Sequence, residues 1–249
     1  MNNLIRNELF KAFRLRKFYI IMLVALAVEI IVALQSKFNG AASGVSPVNG
    51  QNYPLLLFGN LPYLFVIFVA VFIADSWVDE YRTGAFKLTL LRPVNRIGFL
   101  SAKVVSLIVC SGVIMGFVLT SAYAIGTLSF GWGENAGLGI VLLTLKSGAV
   151  TLLPVLGFGL LISFIAILTD NMGVTIGGAL GFMVFSQMLE ASDKLRDYSI
   201  IYLMRSFYKN LFVQYTHEAV ILNVVVITAY VMTFYVGCAL ALYKKDVTA

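Results

Sequence analysis

Enzyme chemistry needs nucleophilic or titratable side chains in fixed company, and this chain carries few of them. His217 is the single histidine, which excludes HExxH helices and other zinc sites built on several histidines. A Ser–His pair would need a serine beside His217, and the sequence contains no GxSxG turn to supply it. A GxxxxGK(S/T) phosphate loop is also missing, so the chain cannot by itself hold ATP in that manner. Cys110 and Cys238 both fall in apolar runs, which suits neither a disulfide framework nor a metal site. No catalytic or metal-binding residue is therefore assigned. What remains is one acid in an unusual place. Glu29 lies well inside an apolar run, where a carboxylate is costly and commonly faces a cavity or a partner. That makes Glu29 a candidate for substrate or ion contact, with simple reach to the interface as the alternative. Asn60, near the start of the second apolar run, is the other candidate for the substrate pathway.

The densest polar chemistry is the insert Asp75 to Arg96, DSWVDEYRTGAFKLTLLRPVNR, set between two long apolar runs. Asp75 and Asp79 favour a helix N-terminus. Gly84 can end that short helix, and Pro93 can restart the chain at the next one. The expected product is a compact helix across one membrane face, with Asp79, Glu80, Arg82, Thr83, Ala85, Arg92 and Arg96 around it. Tyr81 and Phe86 would serve as apolar knobs, and such a surface suits insertion into a groove on a soluble partner. A solvated loop serving only to fix topology is the alternative.

Composition supplies the frame. Of 249 residues, 60% are hydrophobic and 12% charged, and the mean hydropathy of +0.91 places the chain in a membrane. A span needs about 20 apolar residues, which predicts six helices at about 18–34, 54–74, 97–128, 147–169, 174–188 and 219–243 in one membrane domain. Twelve of the eighteen Lys and Arg residues lie before the first span, in or beside the insert, or after the last span. The positive-inside rule makes that side cytoplasmic, with both termini inside. The net charge of +6 is mostly this bias, and no nucleic-acid partner is expected.

Residues 1–17 read as an interfacial amphipathic helix. Ile5, Leu9, Ala12 and Phe13 share one arc and Arg6, Lys11, Arg14 and Lys17 the other, while Phe10 and Arg16 break the pattern. A topology anchor and an elbow on the inner leaflet are compatible readings of it. Pro62 is expected to kink the second span. Residues 140–145 either lie along the surface or extend the fourth span. Gly173, Gly177 and Gly181, four apart on one face, let a helix approach closely, either within the subunit or from a second copy. Residues 189–218, rich in Tyr and Phe, read as a short external helix lying in or dipping into the outer leaflet, or as the mouth of a pathway.

The insert resembles the first cytoplasmic loop of ABC transporter type-2 permeases. That loop carries a Glu, three residues, Gly-Thr, and then a Pro with an Arg three residues later. The matching positions are Glu80, Gly84, Pro93 and Arg96, with Ala85 in place of the usual threonine. The basic N-terminal helix, six spans and long outer segment also follow that layout. The resemblance implies a two-permease core, with an identical or homologous second copy, bound to two cytoplasmic ABC ATPase subunits that carry ATP and Mg. The Glu80 loop would be its coupling helix. It also implies export, with an amphipathic peptide or lipophilic drug as the expected cargo and ion export behind it. A secondary transporter would show inverted repeats and more buried ionisable groups. A membrane assembly factor would need no ATPase at all.

Overall fold

The computed structural model describes residues 2–40, 48–83, 96–133 and 138–244. Among these the chain is helical, without strands. Helix α1 (Asn2–Arg14) breaks at Leu15 and turns into α2 (Arg16–Gly40). The short α3 (Tyr53–Leu57) precedes α4 (Leu61–Ile73), a π-helical turn (Ala74–Asp79) and α5 (Glu80–Arg82), which form one continuous rod. Then come α6 (Arg96–Phe130), α7 (Leu138–Thr169), α8 (Met172–Glu190), α9 (Ile200–Phe212) and α10 (His217–Lys244). Six of these stretches are long and apolar enough to cross a bilayer: α2, the α4–α5 rod, α6, α7, α8 and α10. The protein is an all-α integral membrane protein.

Several boundaries differ from the sequence reading for identifiable reasons. The second span begins at Leu61, because Asn60 occupies the N-cap and Pro62 sits in the first helical turn. There its missing N–H leaves nothing unsatisfied, so Pro62 starts the helix and does not kink it. Pro54 plays the same part in α3. Residues 140–145 belong to the single 32-residue helix α7. At 1.5 Å per residue, α6 and α7 are each about 50 Å long and overshoot a hydrocarbon core of about 30 Å.

Residues 189–218 hold the short helix α9. The α9 helix is not laid on a surface but inserted into the bundle, packed against α7, α10, α4 and α8. Ile200, Ile201, Leu203, Met204, Phe207 and Tyr208 are all buried, and the Tyr208 ring lies 4.7 Å from that of Phe58. Ser199 caps α9 by accepting the Tyr202 N–H. The outward residues find partners: Arg205 pairs with Glu190, and Arg196 with Asp193 at 2.9 Å.

The core is a continuous apolar cluster running through α4, α6, α7 and α9, with Phe65, Phe68, Leu107, Ile114, Phe158 and Ile162 at its centre. A smaller cluster of Ala33, Tyr53, Leu57 and Ala122 seals the end of the bundle away from α1. Gly126 is required there, since a Cβ would come 2.9 Å from that of Tyr53. At the α1 end the two hairpins contrast sharply. The chain reverses from α7 to α8 with only Asp170 and Asn171, the latter capping α8 through Gly173 N–H at 2.8 Å. From α5 to α6 it takes residues 83–95.

Candidate functional site

The rod α4–α5 delivers the insert to the α1 end of the bundle. Asp79, Arg82 and Thr83 are exposed, whereas Glu80 and Tyr81 are half-buried. Tyr81 packs on the core. Thr83 ends the helix, its hydroxyl donating to the Asp79 carbonyl at 2.8 Å. Gly84, Ala85, Phe86, Arg92 and Pro93 lie outside the described residues.

Glu80 faces inward because the π turn adds a residue to the helix and changes its phase. It meets Glu8 and Lys11, one turn apart on α1, and Lys103, two turns into α6. These four charges close a ring. Lys103 Nζ lies 3.0 Å from Glu8 Oε2 and 2.9 Å from Glu80 Oε2. Lys11 Nζ lies 3.1 Å from Glu8 Oε1 and 2.9 Å from Glu80 Oε1. Each carboxylate thus bridges both ammonium groups, and the ring is neutral. The Lys103 side chain is only 2% exposed, against 49% for Lys11. Lys103 also donates to the carbonyl and hydroxyl of Ser76, within the π turn. The rings of Trp77 and Phe99 stand 5.2 and 4.9 Å from its ammonium, and their faces attract a cation. A buried lysine tolerates desolvation only in such company.

Two further contacts tie the same end together. Lys17, at the start of α2, pairs with Asp75 at 2.6 Å. Arg96 donates to the carbonyls of Leu242 and Tyr243 at 2.6 and 2.8 Å, so its charge meets the negative end of α10. Segment 83–95 is therefore anchored at both ends, to α1 and α6 through Glu80 and to α10 through Arg96.

Docking of α1 should carry a pH signature. Burial opposes the charge on Glu8, but Lys103 and Lys11 outweigh it and hold its pKa below the ordinary 4.5. Burial likewise opposes the charge on Lys11, but Glu80 and Glu8 outweigh it and hold its pKa above 10.5. A depressed carboxylate stabilises the docked state above its free pKa, and that contribution disappears as pH falls through the docked value. A raised lysine stabilises it below its free pKa, and the contribution disappears as pH rises through the docked value. Iodide quenching of Trp77 in a Trp132→Phe protein is expected to stay flat between about pH 5 and pH 9 and to rise on both sides. A transition centred inside that window would contradict the ring.

The other predicted positions separate into two groups. Glu29 and Asn60 both line one small cavity between α2 and α4. Gly173, Gly177 and Gly181 are exposed, and a Cβ at Gly177 or Gly181 would meet nothing within 4 Å. That glycine stripe is not used for packing within the subunit. Sequence reasoning missed Glu8, Ser76 and Lys103. The available signal was Glu8 itself, the one acid among the six charged residues of 1–17, the other five being Lys or Arg.

Six apolar crossings with a charged elbow and an anchored polar insert define a polytopic membrane protein without a phosphate loop of its own. A family model described as ABC-2 family transporter protein matches residues 4–187. The chain belongs to the ABC-2 transporter family, as a membrane permease subunit of an ABC transporter. Permeases of this family generally work with ATPase subunits, so hydrolysis lies on a partner chain. A comparison with curated protein sequences found no match.

Proposed function

We propose that the chain is the permease of an ATP-driven exporter in the cell membrane, with the α1 end cytoplasmic and both termini inside. The observation that carries this reading is the double anchorage of segment 83–95. A loop that only reversed direction could be as short as Asp170–Asn171, and it would need no tether to three other helices. Segment 83–95 acts as the coupling helix, with Asp79, Arg82 and Thr83 offered to the ATPase and Glu80 relaying its movement inward. Two ATPase subunits bind ATP and Mg, and two permease copies form the core. The cargo is hydrophobic or amphipathic, a peptide or lipophilic drug, in keeping with spans that carry few charges. Co-purification of an ATPase and ATP-dependent efflux from proteoliposomes test the reading. Transport that runs on an ion gradient without nucleotide would sink it.

The second permease copy is proposed to meet this one along the open glycine stripe of α8, beside exposed Val174, Val184 and Phe185. Small residues let helix backbones approach closely in lipid. Gly177→Cys chains are expected to cross-link as dimers in native membranes, and a Gly177→Leu, Gly181→Leu double variant to run as a monomer. If that double variant keeps the dimer, the interface lies elsewhere.

A further inference from the structure

Glu80 reaches the ring only because the rod carries a surplus residue between Ala74 and Asp79. The hydrogen bonds show how that residue is held. In a regular α-helix the Glu80 N–H would donate to the Ser76 carbonyl, four residues back. Here it donates to the Trp77 carbonyl, and the Ser76 carbonyl accepts from Lys103 Nζ at 2.5 Å. The Ser76 hydroxyl accepts from the same ammonium at 3.0 Å. A side chain of α6 thus stands in for a backbone donor of the rod. After the turn the regular pattern resumes, with the Thr83 N–H on the Asp79 carbonyl at 2.9 Å.

A rod with one residue in surplus has a second way to fold. Restoring the regular hydrogen bonds would lengthen it by about 1.5 Å and rotate everything after the turn by about 100°. Each residue would then point where its successor points now. Asp79 would take the direction of Glu80, Glu80 that of Tyr81, and Tyr81 that of Arg82. Asp79 is exposed and makes no ion pair among the described residues, so nothing holds it outside. Room for the movement lies beside the turn. A cavity of about 200 Å³ separates Ala12 and Leu15 at the elbow from Phe72, Asp75, Ser76 and Asp79 on the rod.

We propose that the turn Ala74–Asp79 is a register switch with Lys103 as its latch. With Lys103 on Ser76, the surplus residue is stored in the π turn and Glu80 closes the ring. With Lys103 withdrawn, the turn relaxes to α, Glu80 leaves the ring, and Thr83 is carried about 1.5 Å further along the rod axis. Tyr81 favours the first register, because it packs on the core there. The ring favours it too, since an aspartate entering in place of Glu80 is one methylene shorter. Intermediate registers are disfavoured, because they leave backbone N–H groups without acceptors. The switch itself needs only this chain. That an ATPase works it, by pulling on segment 83–95, rests on the permease reading.

The test uses the full chain in lipid nanodiscs without any ATPase, so its outcome is independent of coupling. Cys110 and Cys238 are fully buried, which lets one introduced cysteine report by its rate of maleimide labelling. The reporters are Asp79→Cys and, in a separate chain, Tyr81→Cys, the first exposed and the second half-buried in this register. The latch is removed by Lys103→Met, with Glu8→Gln and Glu80→Gln added so that no carboxylate is stranded. The expected result is reciprocal: labelling slows at least about fivefold at Asp79→Cys and quickens at least about fivefold at Tyr81→Cys. Deleting Ala74 removes the surplus residue and keeps Phe72 and Glu80 in phase, so it should return both rates to those of the latched chain. Rates that rise at both positions would show a loosened rod end, and rates that stay put would show a fixed turn; either overturns the proposal. Deletion of Ala74 from the chain that retains Lys103 should leave a folded protein with both rates unchanged. Failure of that chain to fold would assign the surplus residue to the fold and overturn the switch, whatever becomes of the triple variant. With its ATPase restored, the Ala74-deleted chain should hydrolyse ATP without export. Reciprocal labelling alongside normal export by that chain would keep the switch and detach it from transport.

Discussion

Replacing Lys103 by methionine is expected to be the most destabilising single change at the α1 end, at about 3–5 kcal/mol. The loss is more than one ion pair. Methionine would leave Glu8 and Glu80, at 8% and 14% side-chain exposure, sharing only Lys11, a half-exposed ammonium on the far side of the ring. Two carboxylates would then stand close together in a poorly solvated pocket, and the Ser76 hydroxyl and carbonyl would lose their donor. The expected fall in melting temperature is on the order of 10 °C. A structural lysine that merely filled space would show the same sign, so the decisive comparison is the triple variant Lys103→Met, Glu8→Gln, Glu80→Gln. Removing the stranded charges should restore most of the lost stability, because a buried ion network replaced as a set is often neutral in cost. Lys11 remains charged in that variant but reaches solvent. If the triple variant is no more stable than K103M alone, the four groups do not act as one network.

The spans were legible because hydropathy is additive over a window of about 20 residues and insensitive to where any one side chain points. The ring was not, because it depends on phase. Extrapolating a regular helix through Asp75 to Arg82 places Glu80 about 100° away from its true direction, since the π turn inserts one residue. Nothing in ADSWVD announces that insertion. Lys103 already falls inside the predicted third span, but hydropathy gives no direction to its side chain, and only the fold turns it onto Glu8 and Glu80. The burial of α9 was hidden for another reason. Its amphipathic pattern with Tyr and Phe is equally correct for a helix on a membrane surface and for one whose apolar face meets α7. Composition cannot choose between lipid and protein as the apolar neighbour, because both are equally apolar. Glu29 is the opposite case. Its isolation within a span was plain, and the three-dimensional fold added how deeply it is buried.

A ring of charges is a poor way to gain stability, since well-packed apolar residues would serve as well. Its use lies in joining parts that must move together. Glu80 is the only described residue of the α4–α5 rod that reaches both α1 and α6 by ion pairs, and Arg96 holds the other end of segment 83–95 to α10. Displacement of that segment by an ATPase would pass through Glu80 to Lys103 and Lys11. Glu80→Gln keeps the shape but removes the charge, and its single amide oxygen can accept from only one of the two lysines, while Lys103 retains Glu8 and Ser76. Stability is therefore expected to fall by only about 1–2 kcal/mol, with membrane insertion intact. Export is expected to drop by at least about tenfold while the co-purified ATPase continues to hydrolyse ATP. Asp79→Asn is the control, because Asp79 is exposed at the outer face of the same helix. There the expected loss is of ATPase co-purification, with hydrolysis and export falling in parallel. A mere docking contact at Glu80 would make the two variants alike. If E80Q loses the ATPase as D79N does, or exports normally with a full complement of ATPase, Glu80 is not the relay.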